Sequence, residues 1–345
     1  MTDAKKFQAQ LNEFEAALRS AGRVLLTSPG TADGDSVGAQ LALRRMLAHR
    51  FPNLKIEIVN DDPLPDRYRF LPDVEHVQTP ESFAKQGKSK DFDLGVIVDG
   101  GIDRAGRVKE WFDHCKVKVF IDHHSVSVDY PYTIRIVEPK ASSTTELMYY
   151  LSQTSFFNTP IDADFAQQIY LGLIFDTGFF RHSNTTPEAM ELGAQLLRTG
   201  FDFTRVGERG MLERTFASVQ LLAATLNRAE RIAGGKIIWS VITREKLDEL
   251  GANDDDREGI IDHLFLTQGI DVAILFYEMS DRETRLSLRS HGNLDVARFA
   301  RSLTKRGGGH TKAAGANIEV SFKECYKDVL EKLTKAVQES DPRTN

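Results

Sequence analysis

The amino-acid sequence predicts an α/β protein: a mainly parallel β-sheet domain flanked by helices, a helical connector, and a smaller α/β C-terminal domain. Three observations carry that expectation. A chain of 345 residues is longer than one ordinary hydrophobic core accommodates. Through its first half, short apolar runs alternate with helical patterns, the rhythm of right-handed crossovers in a parallel sheet. After Gly234-Gly235 a fresh set of strand and helix patterns begins. The expected boundaries are residues 1–190 for the first domain, 191–228 for the connector and 229–340 for the second domain.

Residues 2–20 carry Phe7, Leu11, Phe14 and Leu18 at helical spacing, with Asp3, Glu13 and Glu15 among them, which fits a helix and not a signal peptide. Residues 23–27 form a first strand. The turn from Ser28 to Asp35 follows, and a helix from about Ser36 buries Val37, Leu41, Leu43 and Leu47. Further strands fall at 54–59, 94–98, 116–121 and 133–137, with a proline-punctuated connection at 63–72. Ser143 and Glu146 have capping-box spacing at the start of a helix through Leu151. Another helix spans 162–174 and closes at Asp176. Thr186-Pro187-Glu188 combines a cap, a first-turn proline and an acid, a strong helix start. Residues 192–226 are helical without strands. The second domain then reads as strand 236–242, helix 257–266, strands 272–277 and 285–289, helix 296–303, strand 313–320 and a closing helix 322–337. Residues 340–345 read as a disordered tail.

Composition narrows the function classes. Apolar content of 41% and charged content of 27% describe a globular protein without any run long enough to span a membrane. Cys115 and Cys325 offer neither a disulfide framework nor a paired zinc motif, consistent with a reducing, cytoplasmic setting. A net charge of −6 argues against wrapping duplex DNA. Yet Arg285, Arg289, Arg298, Arg301, Lys305, Arg306 and Lys312 stand against the single acid Asp295 between Thr284 and Ala316, an excess suited to an anion.

The chemistry concentrates in Asp33, Asp35, Asp99, Asp122 and Asp176 with His123 and His124. Each aspartate lies at or beyond the end of an apolar segment, so one sheet edge could gather them. Singly, each has a structural explanation: Asp33-Gly34-Asp35 is a turn and cap signal, Asp99 precedes two glycines, and Asp176 ends a helix. Together they crowd carboxylates that stay ionised only with cations among them. Carboxylate and imidazole ligands suit manganese, magnesium or iron better than a thiolate zinc site. Two such ions ~3.5–4 Å apart would activate water and clamp a phosphoryl group. A second constellation, Arg306 to Gly315, reads as a Gly-rich loop whose amides nest an anion, with Arg289 and His310 adding charge-assisted hydrogen bonds.

These motifs together resemble the DHH phosphoesterases, in particular the two-domain, NrnA-like oligoribonuclease and 3′,5′-bisphosphate nucleotidase type. The marks are Asp33-Gly-Asp35-Ser-Val-Gly38, Val98-Asp99, Ile121-Asp-His-His124, Ser142-Ser-Thr-Thr-Glu146 and Asp176-Thr-Gly-Phe-Phe-Arg181. In the second domain they are Ser287-Leu-Arg-Ser290, Asn293-Leu-Asp-Val296 and Gly307-Gly-Gly-His-Thr-Lys-Ala-Ala-Gly315. The resemblance implies a two-manganese hydrolase with its active cleft between the domains. It implies that Asp33 binds one ion, that Asp35, His123 and Asp176 bind the other, and that Asp99 bridges them. His124 would contact the scissile phosphate or protonate the leaving oxygen, and Asp122 would orient its neighbours. Arg289, Ser290 and His310, with the amides of Gly308 and Gly309, would hold the far end of a short substrate. The implied partners are short single-stranded RNA or small phosphorylated nucleotides, with no membrane and with a possible homodimer.

Two departures stand out. The family's first motif usually begins with a histidine where this chain has Pro29, so the first ion loses a ligand; His49 or His182 are the nearby imidazoles that could replace it. The run from Asp99 to Arg104 is one residue short of the usual spacing, which leaves Arg104 without an assigned role. Besides the nano-RNA and 3′-phosphoadenosine 5′-phosphate reading, two alternatives stay open. One is an exopolyphosphatase or other small phosphate-ester hydrolase. The other is a nucleotide-binding sensor whose hydrolytic site has degenerated.

Overall fold

The structure is a computed structural model and describes residues 4–124 and 129–340. Thr2 and Asp3, at the start of the expected N-terminal helix, and the tail at 341–345 lie outside the described residues. The chain divides into two compact units, Met1–Glu213 and Arg214–Asn345.

In the first unit, α1 (Gln8–Ser20) precedes β1 (Arg23–Thr27), α2 (Gly34–Arg50) and β2 (Lys55–Val59). A two-residue strand β3 (Val77–Gln78) and α3 (Pro80–Lys85) lead to β4 (Leu94–Val98), α4 (Val108–Asp113), β5 (Val117–Asp122) and β6 (Ile134–Val137). Helices α5 (Thr144–Ser152), α6 (Ala163–Asp176), α7 (Pro187–Leu197) and α8 (Phe203–Gly207) complete it. The six strands form one sheet in the order β3-β2-β1-β4-β5-β6, every pair parallel. Strand side chains alternate faces. Val24, Leu26, Val96, Val98, Val119 and Ile121 therefore enter the core under α1, α2, α5 and α6. Leu25, Ile97 and Phe120 enter a second core with Phe112 of α4 and Phe83 of α3. Burial on both faces is what a parallel sheet requires, and it explains why these strands read as unbroken apolar runs.

The chain leaves β1 toward β2 on one side and returns as β4 on the other. That reversal opens a crevice beyond the carboxyl ends of β1, β4 and β5. Helices α2 and α6 pack against each other there at two glycines. A Cβ on Gly38 would lie 2.3 Å from the Gln168 carbonyl oxygen, and one on Gly172 would lie 2.3 Å from Asp35 Oδ1.

The second unit holds α9 (Phe216–Asn227), β7 (Glu230–Ile232), β8 (Ile237–Ile242), α10 (Arg244–Leu250), α11 (Ile260–Phe265), β9 (Val272–Ser280) and β10 (Glu283–Ser290). It ends with α12 (Val296–Leu303), β11 (Gly307–His310), β12 (Ala313–Ile318) and α13 (Phe322–Ser340). Its mixed sheet runs β11-β12-β10-β9-β8-β7, with β8 and β9 the parallel pair. Ile274, Phe276, Leu286 and Leu288 pack toward α12 and α13, while Ala273, Leu275 and Tyr277 pack toward α11.

Three local expectations change. The run at 94–98 is the fourth strand, because Val77 and Gln78 pair beside β2; two residues are too few for a periodic signal. The Ser143 hydroxyl caps α5 by accepting from the Glu146 amide at 3.0 Å, but Glu146 does not close the box. Its carboxylate instead accepts from the Ser142 amide at 2.6 Å. The glycine run Gly307–His310 is a strand paired with β12, not a loop.

Candidate metal centre

Each expected metal ligand hangs from the crevice edge by a local device. Asp33 is the N-cap of α2, its Oδ1 accepting from the amides of Asp35 and Ser36, both at 3.0 Å. Asp35 points from the first turn of α2 to the start of α5. There its two oxygens accept from the Thr144 amide at 2.6 Å and the Thr145 amide at 2.9 Å. A carboxylate at a helix amino terminus meets unsatisfied N–H groups and the positive end of the helix dipole. Asp99 directly follows β4 in the left-handed region, φ 60°, and Gly100 comes next at φ 126°. Asp99 accepts from the hydroxyls of Ser36 and, at 3.1 Å, Thr144. Strained backbone at the end of a strand swings the carboxylate into the crevice.

Asp122 is the last residue of β5 and acts as the hub of the turn. Its Oδ1 accepts from the amides of His123 at 2.7 Å and His124 at 3.1 Å and pairs with His124 Nδ1 at 2.7 Å. His123 faces the Ala141 carbonyl through Nδ1 at 3.2 Å. Asp176 closes α6, and its backbone carbonyl accepts from His182 Nδ1 at 2.9 Å and from Asn184. The following Gly178, Phe179 and Phe180 are all left-handed, which folds the chain back onto that helix end.

Two trios bring their ligand atoms within 4.8 Å of one another: Asp35, His123 and Asp176, and Asp99, His123 and His124. His123 Nε2 lies 2.9 Å from Asp176 Oδ2 but is not aligned to donate to it, and it has no hydrogen-bond partner although it is buried. An imidazole that gives Nδ1–H to a backbone carbonyl presents the Nε2 lone pair, the arrangement of a metal-ligating histidine. A buried polar atom with no partner is costly, and a divalent cation among these carboxylates removes the cost. The residues present therefore fit a metal ion.

The electrostatics agree. With protons as the only counter-charges, burial and then the charge of Asp99 push Asp33 up to about 7. Burial and then Asp176 push Asp35 up to about 7. Burial and then Asp35 raise Asp99 to about 6, and burial raises Asp176 to about 6 despite His123. Burial opposes a charge on His123, yet Asp176, Asp35 and Asp99 together raise its pKa to about 10. Burial also works against Asp122, but the hydrogen bond and charge of His124 outweigh it and keep that carboxyl below its ordinary value. His124 is raised, first by its bond to Asp122. Four aspartates that resist ionisation in the protein alone are what a cation site looks like before its cation arrives.

Pro29 is buried, and its ring packs so closely on Gly100 that a Cβ there would lie 2.7 Å from Pro29 Cγ. Neither expected substitute reaches this position. His49 sits in the last turn of α2, whereas Asp33 caps the first; 16 residues of helix separate them by over ~20 Å. His182 is engaged with the Asp176 carbonyl and joins neither trio. The Arg104 guanidinium lies beside the Gly100 turn. Asp73, Glu75 and His76 form one more trio, but Asp73 is already paired with Arg45 and Gln168.

In the second unit, Arg289 pairs with Ala313 across β10 and β12, and Ala313 with His310 across β12 and β11. Partners on one rung share a face, so Arg289 and His310 flank one methyl group on the same side of the sheet. Arg289 also faces Asp262 at 3.3 Å. Ser290 is buried, its amide bonded to the Lys312 carbonyl at 3.0 Å. Gly308 has open space where a Cβ would stand, while Gly309 is left-handed at φ 130° against the backbone of Ala313 and Ala314. Among residues without an assigned role beforehand, Ser36, Thr144, Thr145 and Gly172 support the carboxylates. Their sequence signals are the Asp33-Gly-Asp35-Ser-Val-Gly38 motif for Ser36 and the Ser142-Ser-Thr-Thr run ahead of a helix for the two threonines; Gly172 gave none.

Residues 23–173 match the model of the DHH family, N-terminal domain, and residues 234–339 match the DHHA1 domain. The chain is 26% identical over 322 residues to the bifunctional oligoribonuclease and PAP phosphatase NrnA of Thermus thermophilus, covering 90% of this chain and 89% of that protein. It is 23% identical over 334 residues to the protein of the same name from Mycoplasma genitalium, covering 96% and 98%. Among solved structures, an exopolyphosphatase-related protein from Bacteroides fragilis shares the fold with a TM-score of 0.85 at 21% identity, covering 98% of both chains. RecJ from Thermus thermophilus in complex with Mn2+ shares it with a TM-score of 0.55 at 17% identity, covering 97% of this chain and 55% of that one.

Proposed function

We propose that this chain, which belongs to the DHH family and is a metal-dependent phosphoesterase of NrnA-like type, hydrolyses short oligoribonucleotides, 3′-phosphoadenosine 5′-phosphate, or both. The observation that carries the reading is the buried Nε2 of His123, which makes no hydrogen bond and faces Asp35 and Asp176 at the crevice edge. When bound, divalent ions supply Lewis-acid charge to a phosphoryl group and activate the attacking water. Manganese, with magnesium or iron as alternatives, suits this oxygen and imidazole donor set. In this reading Asp33, Asp35, Asp99, His123 and Asp176 are the ligands.

The chain's own part is positioning and proton handling. Asp122 holds His124 through Nδ1 at 2.7 Å, which fixes the ring and favours its protonated form. An imidazolium so held can donate to a scissile phosphate or to the leaving oxygen. Among the described residues the Asp122 carboxylate bonds to the histidine turn, which makes it a positioning residue. Arg289, Ser290, Gly308, Gly309 and His310 form the substrate-binding set. The rung that joins Arg289 and His310 suits a second phosphate or a splayed base.

The test is hydrolysis of a labelled dinucleotide, a long single-stranded RNA, 3′-phosphoadenosine 5′-phosphate and polyphosphate, each with manganese and with EDTA. Manganese-dependent cleavage of the dinucleotide or the bisphosphate, with long RNA spared, is the expected result. Cleavage of polyphosphate alone would move the substrate to the exopolyphosphatase reading, and nucleotide binding without hydrolysis would favour a sensor. Asp99→Ala and His123→Ala are each expected to abolish turnover in a folded protein; full activity in either refutes the ligand assignment.

A further inference from the structure

Resting on the metal-dependent reading above, the geometry points to a centre whose two metal positions are unequal. We infer that Asp35, His123 and Asp176, with Asp99 beside them, hold one ion tightly in the protein alone, and that the position next to Asp33 fills only together with a substrate phosphate.

The asymmetry is in the donor sets. Asp35, His123 and Asp176 gather three ligand atoms within 4.8 Å, and the buried Nε2 of His123 faces Asp176 at 2.9 Å without a hydrogen bond. Asp33 belongs to no such trio among the described residues. One of its oxygens caps α2, but both oxygens of Asp35 also accept from amides, so what sets Asp33 apart is the missing donors around it and not the cap. The other trio, Asp99, His123 and His124, does not make a second complete pocket. It shares His123 with the first, and His124 Nδ1 is engaged by Asp122 at 2.7 Å.

The neighbours of Asp33 cannot complete a set. Pro29 fills the space beside Gly100 with a ring that carries no donor atom. The polar groups around it are already paired. The Ser28 amide donates to Asn60 Oδ1, and Asn60 pairs with Gln40 through both ends of its amide. Asp62 accepts from the Thr31 amide at 2.8 Å, and Asp61 is bound by Arg107. Among the described residues, that leaves Asp33 and Asp99 as the protein's contribution to the second position. A hard divalent ion held by one or two carboxylates keeps its waters and takes its remaining ligands from substrate phosphates. Substrate binding and assembly of the full centre thus become one event, and the affinities for ion and phosphate rise together.

The experiment is a manganese titration of the whole, EDTA-treated chain, read by calorimetry and by the electron paramagnetic resonance signal of free Mn2+. It is run alone, with inorganic phosphate, and with AMP, which offer phosphate oxygens but no bond to the next nucleotide. The expected result is one tight ion per chain alone and a second ion only with phosphate or AMP, its affinity raised at least tenfold. Asp33→Asn should remove the phosphate-dependent ion and spare the tight one, whereas Asp176→Asn should weaken the tight ion. Pro29→His should admit the second ion without phosphate. Two ions of equal affinity in the unmodified chain alone would overturn the inference and leave the hydrolase reading intact. Equal weakening of the tight ion by Asp33→Asn and Asp176→Asn would overturn it as well, even if Pro29→His failed to fold. Absence of any tight ion would overturn both.

Discussion

Gly172 lies in the middle of α6 and its substitution tests how the carboxylates are positioned. A methyl group at this site would stand 2.3 Å from Asp35 Oδ1, 2.4 Å from Thr145 Oγ1 and 2.5 Å from Thr145 Cγ2, where ordinary contact begins at 3.4 Å. Asp35 and the start of α5, whose Thr145 amide it accepts from, must therefore retreat together by about 1 Å to admit Gly172→Ala. Overpacking costs ~1–3 kcal/mol, and the better helix propensity of alanine returns up to ~1 kcal/mol. A net loss of ~1–2 kcal/mol lowers Tm by roughly 2–8 °C at ~2–4 °C per kcal/mol. A displacement of this size at a ligand is expected to cost about 100-fold in turnover and about 10- to 100-fold in metal affinity. The assay combines a melting curve, calorimetric manganese titration and dinucleotide hydrolysis on the same preparation. Gly172→Ala with metal affinity and turnover within about twofold of the parent would refute the claim that close α2–α6 packing places Asp35.

Three other outcomes follow from the same geometry. Asp122→Asn keeps an acceptor for the histidine turn but removes its charge, so turnover should fall about 10- to 100-fold with metal content unchanged; loss of metal instead would show that Asp122 supports ligation and not His124. In metal-free protein, the raised pKa values of Asp33, Asp35, Asp99 and Asp176 mean that the folded state binds more protons than the unfolded one. Their stabilising contribution is complete below the ordinary carboxylate value and is lost as pH rises through about 6 to 7. That of His123 is lost as pH rises through about 10. The gain in Tm on adding manganese should consequently grow from about pH 5 to about pH 8, and a gain that shrinks over this interval contradicts the cation-site account. Arg289→Ala should raise KM for a dinucleotide with a smaller change in kcat, read from steady-state kinetics across substrate concentrations; an equal loss in both would place Arg289 at the reacting phosphate.

Much of the fold was legible because its signals are local. Residues 23–27 and 94–98 are apolar on both faces, as a strand buried between helix layers must be. Thr186-Pro187-Glu188 reads as a helix start because each residue satisfies or pre-forms one feature of the first turn, and the Thr186 hydroxyl does accept from the Ala189 amide. The glycine run at 307–309 misled because glycine is ordinarily a turn residue. Here Gly307 is required by close approach of α12, where a Cβ would lie 2.1 Å from the Ala300 carbonyl oxygen, and the segment still pairs as a strand. The capping partner of Ser143 was visible from spacing, whereas the redirection of Glu146 to the Ser142 amide depends on how the preceding loop lies.

By itself the sequence determined which residue types stand at the ends of apolar segments, and so which carboxylates and imidazoles could meet at one sheet edge. It also carried the family motifs and put a proline, not an imidazole, at position 29. Only the tertiary structure decided that Asp35 is held by α5 amides, that His123 keeps its Nε2 without a hydrogen bond, and that Asp33 spends an oxygen on a helix cap. It likewise revealed Gly172 as the residue that makes room for Asp35. The reason is that spacing encodes side-chain direction along one element, while ligand geometry depends on the distance between elements, which is set by packing contacts between residues far apart in the chain.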